Sequence, residues 1–448
     1  MIEFDIDQVH ELIKEHKLSE LRELFSEWPV PDIADYLWQL ENPDRMLVFR
    51  LLPRNLSSEV FSYLKTENQN DLLEDLSNEE TRNLLSNLRP DDRTNLFEEL
   101  PGQATQKLLN LLSPSDLKET RMLLGYPEET VGRLMTPDYV AVRPNWTVAQ
   151  AIEHIRVKGK DSETINTIYV VDQSWKLTDA LELQKFILAS PEKSVEELMD
   201  NHYVSLSAFD DREKAVYVMQ KYDLFALPVL DSEGVLLGVV TFDDVMDVAE
   251  EEATEDFHKG AAVTPLKTSY AETGIIQLYS KRITWLIALV FVNLITLQIL
   301  SSYESVLATA IALTFFMPML LGSGGNTGAQ SATLMVRALA TGDVDPSQWL
   351  KTILKELAVG GALGLTMGLA GFVLGFFKGG MQIALIVGLS MTILILVVNL
   401  IGVTLPFLLI KLGLDPAVAS NPLITTISDA TGLLIYFQIA TLILEDFA

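Results

Sequence analysis

The sequence predicts a multidomain membrane protein in four parts: an all-α helical-repeat N-terminal domain, an α/β tandem domain pair, an acidic connecting helix and a five-helix transmembrane domain. Three observations carry this. A leucine recurs every 12 residues in the N-terminal part, a longer unit occurs twice after it, and charge and hydropathy separate along the chain. The 448 residues hold 61 acidic and 33 basic side chains, a formal charge of −28, yet the mean hydropathy is positive at +0.23. Residues 271–448 contain nine acids and seven bases, so −26 of the charge belongs to residues 1–270. An acidic soluble half precedes a nearly uncharged apolar half.

That balance excludes several classes. There is no basic face to displace phosphate counterions, so no nucleic-acid partner is expected. The absence of cysteine removes disulfides and thiolate metal sites. Met1–Lys17 is charged and lacks an apolar core, so it does not read as a signal peptide. Everything ahead of the first long apolar run, near Ile283, is expected to stay in the cytoplasm.

Residues 1–130 read as a helical solenoid. Leu40, Leu52, Leu64, Leu76, Leu88, Leu100 and Leu112 stand 12 residues apart. An apolar pair follows eight and nine residues after each of the first six, from Val48/Phe49 to Leu108/Leu109. Short helices joined by tight turns explain the period. Pro53, Pro90, Pro101 and Pro114 fall just after the repeat leucine, where helices start. A scaffold or docking role is expected, since no nucleophile–base set stands out.

Residues 131–249 hold two copies of another unit. Leu134-Met135…Tyr139-Val140 matches Leu198-Met199…Tyr203-Val204 at an offset of 64, and Ile168–Asp172 matches Leu227–Asp231 at an offset of 59. Each copy reads as strand, helix, strand, strand, helix, and the first has five extra residues. The pair resembles tandem CBS domains, a regulatory ligand-binding module. The second copy keeps that family's glycine and Thr-x-x-Asp in Gly238-Val-Val-Thr241-Phe-Asp-Asp244. The first reads Asp179-Ala-Leu-Glu182-Leu-Gln-Lys185, without the glycine and with lysine in place of the aspartate. The resemblance implies that this aspartate holds a nucleotide ribose, so the departure argues against adenine-nucleotide binding by the first copy.

Residues 250–270 are assigned to the connecting helix. The run from Asp243 to Asp256 contains eight acids and no base. On a helix Asp244, Asp247, Glu251 and Glu255 share one face, where like charges repel. The run is either a solvated linker or, directly ahead of the membrane, a cation sensor whose repulsion divalent ions relieve.

A membrane span needs about 20 apolar residues. Five are read at 283–302, 306–325, 357–377, 383–410 and 422–444, with Pro406 as a cause for kinking the fourth. With the N-terminus inside, the cytoplasmic flanks hold Lys267, Lys281, Arg282, Arg337, Lys351, Lys355 and Lys411, and the outer loops Lys378, as the positive-inside rule requires. The C-terminus then lies outside. Five spans do not readily enclose a pathway, whereas a homodimer would line one along its two-fold axis.

Asp429 lies inside the fifth span, where an unpaired carboxylate costs about 2.5–3.5 kcal/mol and normally faces water or a partner. It reads as part of an ion pathway, or else as a structural carboxylate bonded to Ser and Thr hydroxyls. Asn421, Thr425, Asp429 and Gly432 follow one another at helical spacing. Oxygen ligands without sulfur or imidazole suit hard cations such as Mg²⁺, Ca²⁺ or Mn²⁺. The second span ends in Gly322-Ser-Gly-Gly-Asn326-Thr-Gly-Ala-Gln330, which permits non-helical backbone at a pathway mouth, or an ordinary turn or close helix packing. Gly360, Gly361, Gly364, Gly368, Gly371 and Gly375 read as a packing face of the third. Asn421-Pro422 reads as an N-cap followed by proline at the first helical position.

The order of these parts, with Gly-Gly-Asn326-Thr-Gly, Arg337-Ala-Leu-Ala and Asp415-Pro-Ala…Asn421-Pro…Asp429-x-x-Gly432, resembles the MgtE family of magnesium channels and transporters. The resemblance implies a homodimeric, magnesium-selective pore between second and fifth spans. Its pore aspartate matches Asp429, with Asn421, Thr425 and Asn326 nearby and Asp415 at the cytoplasmic mouth. It also implies cytosolic Mg²⁺ sites, carried over to Asp223, Asp244, Asp247, Glu252, Glu255 and Asp256. High cytosolic Mg²⁺ is then expected to hold the acidic seams together and close the pore. A secondary divalent-cation transporter and a non-transporting membrane cation sensor are the alternatives.

Overall fold

The computed structural model describes residues 6–100, 102–266, 270 and 273–445. Pro101 of the repeat and Lys267 of the cytoplasmic charges lie outside the described residues. Residues 1–249 and 250–448 form separate compact units.

The first unit opens with α1 (Ile6–Lys14), α2 (Leu18–Glu27) and α3 (Val30–Leu37). Then come α4 (Asn42–Leu51), α5 (Arg54–Ser62), α6 (Thr66–Asp75), α7 (Asn78–Asn87), α8 (Pro90–Glu99), α9 (Gly102–Leu109) and α10 (Pro114–Leu123). From α4 onward each helix starts 12 residues after the last. The repeat leucines explain this. Leu52, Leu76, Leu88 and Leu100 are the extended residues that end their helices, with ψ between 142° and 144°. Two residues later the next helix begins, helped by Pro90 and Pro114 in the first turn and by the reciprocal Ser77–Glu80 capping box. The pairs Val60/Phe61, Leu84/Leu85 and Leu96/Phe97 are buried in one apolar core with Leu40, Leu52, Leu64, Leu88 and Leu112.

The tandem unit contains α11 (Val131–Leu134), β1 (Ala141–Val142), α12 (Val148–Lys158), β2 (Thr167–Val171), β3 (Leu177–Glu182) and α13 (Leu183–Leu188). Its second copy contains β4 (Leu206–Ser207), α14 (Arg212–Tyr222), β5 (Ala226–Leu230), β6 (Leu236–Thr241) and α15 (Phe242–Gly260). In each copy the first strand pairs parallel with the second and the second antiparallel with the third. The copies differ in length between helix and second strand, where Gly159–Asn166 replaces Asp223–Phe225. At Gly238 a Cβ would lie 2.7 Å from the Thr136 carbonyl, so glycine is needed there. In the first copy Asp179 fills the equivalent place. Its buried carboxylate accepts from the backbone N–H of Ala180, Asp200 and Asn201 at 2.8, 2.9 and 3.0 Å. The acidic helix differs from the expected bounds: α15 grows directly out of β6 and ends at Gly260.

The second unit contains α16 (Ile275–Ser302), α17 (Glu304–Thr309), α18 (Met317–Ala340), α19 (Trp349–Lys411) and α20 (Asn421–Glu445). The second span differs from expectation. Residues 306–325 are not one helix: α17 ends, Ala310 leaves helical geometry at φ −138°, ψ 77°, and a 3-10 turn over Ile311–Phe315 leads into α18. Helix α19, at 63 residues, would extend about 95 Å if straight, some three times the hydrocarbon core. It folds back at Gly380, where φ 76° and ψ −167° break it; the backbone stays helical through Pro406. The arms pack through glycine. A Cβ on Gly375 would meet Ala384 Cα at 2.8 Å, one on Gly368 the Gly388 carbonyl at 2.8 Å, and one on Gly364 the Thr392 carbonyl at 2.5 Å. Gly361 lies off this face with nothing within 4 Å. Among the described residues three helices, α16, the hairpin-forming α19 and α20, are long and apolar enough to cross a membrane.

Candidate cation sites

The glycines of Gly322–Gln330 are helical residues of α18, not irregular backbone, which corrects the pathway-mouth expectation. They bring α18 against its neighbours. A Cβ at Gly324 would sit 2.8 Å from Ser428 Oγ, one at Gly325 3.0 Å from Thr425 Cγ2, and one at Gly328 2.6 Å from Val398 Cγ1. The close-packing alternative therefore holds, and it is what sets α18 beside the polar stripe of α20.

On α20, Asn421 is exposed, Thr425 and Asp429 are half-buried, and Gly432 is buried against Leu321 and Leu394. Asn421 occupies the first helical position rather than the N-cap, so α20 starts one residue earlier than expected. Its Oδ1 accepts from Thr333 Oγ1 at 3.1 Å, tying α20 to α18. The Thr425 hydroxyl donates to the Asn421 carbonyl at 2.9 Å. Among the described residues no side chain hydrogen-bonds or ion-pairs with Asp429, whereas the structural alternative needs hydroxyl partners. Asn326 is exposed on α18. Nearby, Asn399, 1 % exposed, accepts from Ser331 Oγ at 2.5 Å and donates to the Glu356 carboxylate at 3.0 Å, joining α18 to both arms of α19. Sequence reasoning missed this set; a lone Asn and a lone Glu 43 residues apart carry no periodic signal.

Asp415 caps the turn ahead of α20. Its Oδ1 accepts from Ala417 N–H at 2.8 Å, and its Oδ2 takes Lys259 Nζ at 2.5 Å. Lys259 also pairs with Glu255 one turn earlier on α15. Burial opposes the charged form of Lys259, but its bonds to Asp415 and Glu255 outweigh burial and raise its pKa. Burial raises that of Asp256, with Asp415 adding to it. Glu252 is half-buried on α15.

In the first unit the structure brings together two predicted site residues, Asp244 and Asp247, and three unpredicted ones. Asp91 and Asp92, in the first turn of α8, lie within electrostatic reach of Asp243, Asp244 and Asp247 at the start of α15. Burial, then Asp92, pushes Asp91 up to about 7. Burial raises Asp92 to about 6, with Asp243 and Asp247 adding to it against Arg89. Burial and then Asp91 hold Asp244 well above the ordinary range, although Thr241 Oγ1 donates to it at 2.6 Å. Asp91 Oδ1 is buried without a hydrogen-bond partner. A cavity of about 30 Å³, room for a water or two, opens beside Asp92 and is lined also by Ser62, Gln69, Asn95 and Glu99. First-turn acids are ordinary dipole partners of a helix, so Arg89-Pro-Asp91-Asp92 gave no separate signal. Asp223 is exposed and ends α14 in left-handed geometry, φ 52° and ψ 46°. In the first copy Lys185 pairs with Asp200 at 3.3 Å, where the second copy has Asp244.

Comparison with known proteins fits each part. Residues 317–439 match the MgtE divalent cation transporter family, 28–129 the MgtE intracellular N domain, and 131–183 and 195–251 the CBS domain. The chain is 41 % identical over 442 residues to a magnesium transporter MgtE of Thermus thermophilus, covering 98 % of both chains. It is 37 % identical to one from Enterococcus faecalis, covering 98 % of this chain and 96 % of the relative. Among solved structures it resembles the cytosolic domain of the Mg²⁺ channel MgtE in complex with ATP, at 36 % identity and a TM-score of 0.51, over 54 % of this chain and 98 % of that one. The soluble part of a magnesium transporter gives 28 % identity and a TM-score of 0.53, over 55 % and 97 %.

Proposed function

The chain belongs to the MgtE family of divalent cation transporters, and from that membership we propose that it passes Mg²⁺ inward across the cytoplasmic membrane and is closed by cytosolic Mg²⁺. The Asp429 carboxylate carries the reading. It is half-buried in an apolar bundle, and among the described residues nothing neutralises it. Asn421 and Thr425 add oxygens at helical spacing on the same helix. Mg²⁺ sheds water reluctantly and binds through one or two carboxylates, so a largely hydrated ion between two copies of Asp429 suits it. Helix α16 has no buried residue, which supports a homodimer whose partner copy, with lipid, covers that apolar surface.

The cytosolic seam supports the regulatory half. Asp91, Asp92 and Asp244 are desolvated like charges, and Asp91 Oδ1 lacks a partner. A hard divalent ion fits that donor set, held by these three with Asp243 and Asp247 beside them. Bound Mg²⁺ supplies positive charge there, which favours the closed arrangement by its preference for it. When Mg²⁺ falls, repulsion loosens the seam. Glu252, Glu255, Asp256 and Asp223 are assigned the same role by family resemblance, and Asp415 the mouth.

Transport in liposomes tests the reading. Mg²⁺, Mn²⁺, Co²⁺ and Ca²⁺ are offered outside at stepped internal Mg²⁺. Mg²⁺ entry that falls as internal Mg²⁺ rises is expected; absence of Mg²⁺ entry at every internal level removes the proposal.

A further inference from the structure

The membrane unit carries a cation of its own beside Asp415. Both Asp415 oxygens are engaged, one by the turn ahead of α20 and the other by Lys259 at 2.5 Å. Lys259 bridges to Glu255 as well. The three side chains are only 27 %, 28 % and 35 % exposed for Lys259, Glu255 and Asp415, so water screens this bridge less than a surface pair. Ammonium is a compact charge on a flexible stem with three donors, enough to bond two carboxylates from different elements. Asp256, adjacent to Glu255, feels the Asp415 charge too, and Arg337 lies near enough to oppose it.

We propose that Lys259 is a tethered counter-cation: it latches residues 250–260 to the turn ahead of α20 without metal, and a divalent ion entering between Glu255 and Asp415 must displace it. The proposal rests on the reading above that these mouth carboxylates take Mg²⁺. It gives the mouth a metal-independent component of closure, which an ion bound between Glu255 and Asp415 replaces. It also sets a local threshold, because the ion competes with an ammonium that cannot diffuse away.

The chain has no cysteine, so spin labels at Phe257→Cys and Leu414→Cys, both exposed positions, report the latch in the full chain by pulsed electron paramagnetic resonance. The labelled parent is expected to show one short distance with EDTA and with Mg²⁺. Lys259→Met and Lys259→Gln are expected to lose it in EDTA and regain it with Mg²⁺, while Lys259→Arg keeps it throughout. A short distance retained by both neutral variants in EDTA, or absent from the parent in EDTA, overturns the latch. Loss in EDTA that Mg²⁺ does not reverse supports the latch and instead removes the metal reading of Glu255 and Asp415.

Discussion

Asp244, in the first turn of α15, is half-buried within electrostatic reach of buried Asp91, in the first turn of α8, and desolvation and then the charge of Asp91 raise the pKa of Asp244. Two helix starts that would each place an acid toward solvent instead direct them at one another. Ion pairing does not account for this, since the pair shares one sign. The arrangement is stable only to the extent that protons or cations offset desolvation and repulsion.

That gives a pH prediction with a definite sign. Asp91 is raised to about 7 and Asp92 to about 6 from an ordinary Asp value near 3.8. Between those values the folded seam binds more protons than the unfolded chain, so its stability falls as pH rises. The contribution is fully present below about 4 and is lost as pH passes through 6 and 7. Glu80, lowered to about 2 by Arg50, has the opposite sign but acts below this window. In EDTA, thermal unfolding of the full chain should shift to lower temperature from pH 5 to pH 8. Asp91→Asn with Asp244→Asn should flatten that slope; an unchanged slope contradicts the seam.

The same carboxylates should set Mg²⁺ inhibition. Neutralising Asp244, Asp247 and Glu255 together is expected to leave uptake active at high internal Mg²⁺. Flux into Mg²⁺-loaded liposomes is the measurement, and inhibition equal to wild type counts against the sensor.

Gly368 should tolerate nothing larger. A Cβ there would fall 2.8 Å from the Gly388 carbonyl and closer still to Thr392 Oγ1. Gly368→Val should cost about 1–3 kcal/mol or more through overpacking, seen as a lower melting temperature in detergent, while Gly361→Ala changes little. Equal effects of the two would deny the hairpin packing.

Asn399→Leu removes the group that joins Ser331 to Glu356. Ser331 Oγ keeps the Thr327 carbonyl as acceptor, so the loss falls on the hydrogen bond to the half-buried Glu356 carboxylate and should cost about 1–3 kcal/mol. Thermal unfolding of the variant in detergent, unchanged from the parent, would show that the network contributes nothing.

Much of the fold was legible because it is periodic. Leucines 12 apart fixed the helix starts, and the offsets of 64 and 59 placed the duplicated strands. Gly360, Gly364, Gly368, Gly371 and Gly375 announced a packing face. The errors arose where composition has two physical outcomes. Glycines at 322–328 suit either a loop or a close helix contact, and only the positions of Ser428, Thr425 and Val398 decide for the latter. The hydropathy of 306–325 does not reveal the break at Ala310. Asp91, Asp92 and Lys259 were invisible as site residues because Asp244 and Asp415, the groups that give them meaning, lie more than 150 residues away, on elements whose approach is set by the whole fold.

The central claim is that Asp429 lines the route. Flux of Mg²⁺ into liposomes bearing the Asp429→Ala chain, purified alongside wild type and matched in folded protein, tests it directly. The account predicts that entry is abolished, or that it no longer discriminates Mg²⁺ from other divalent ions. Wild-type rate and selectivity in that variant would contradict it.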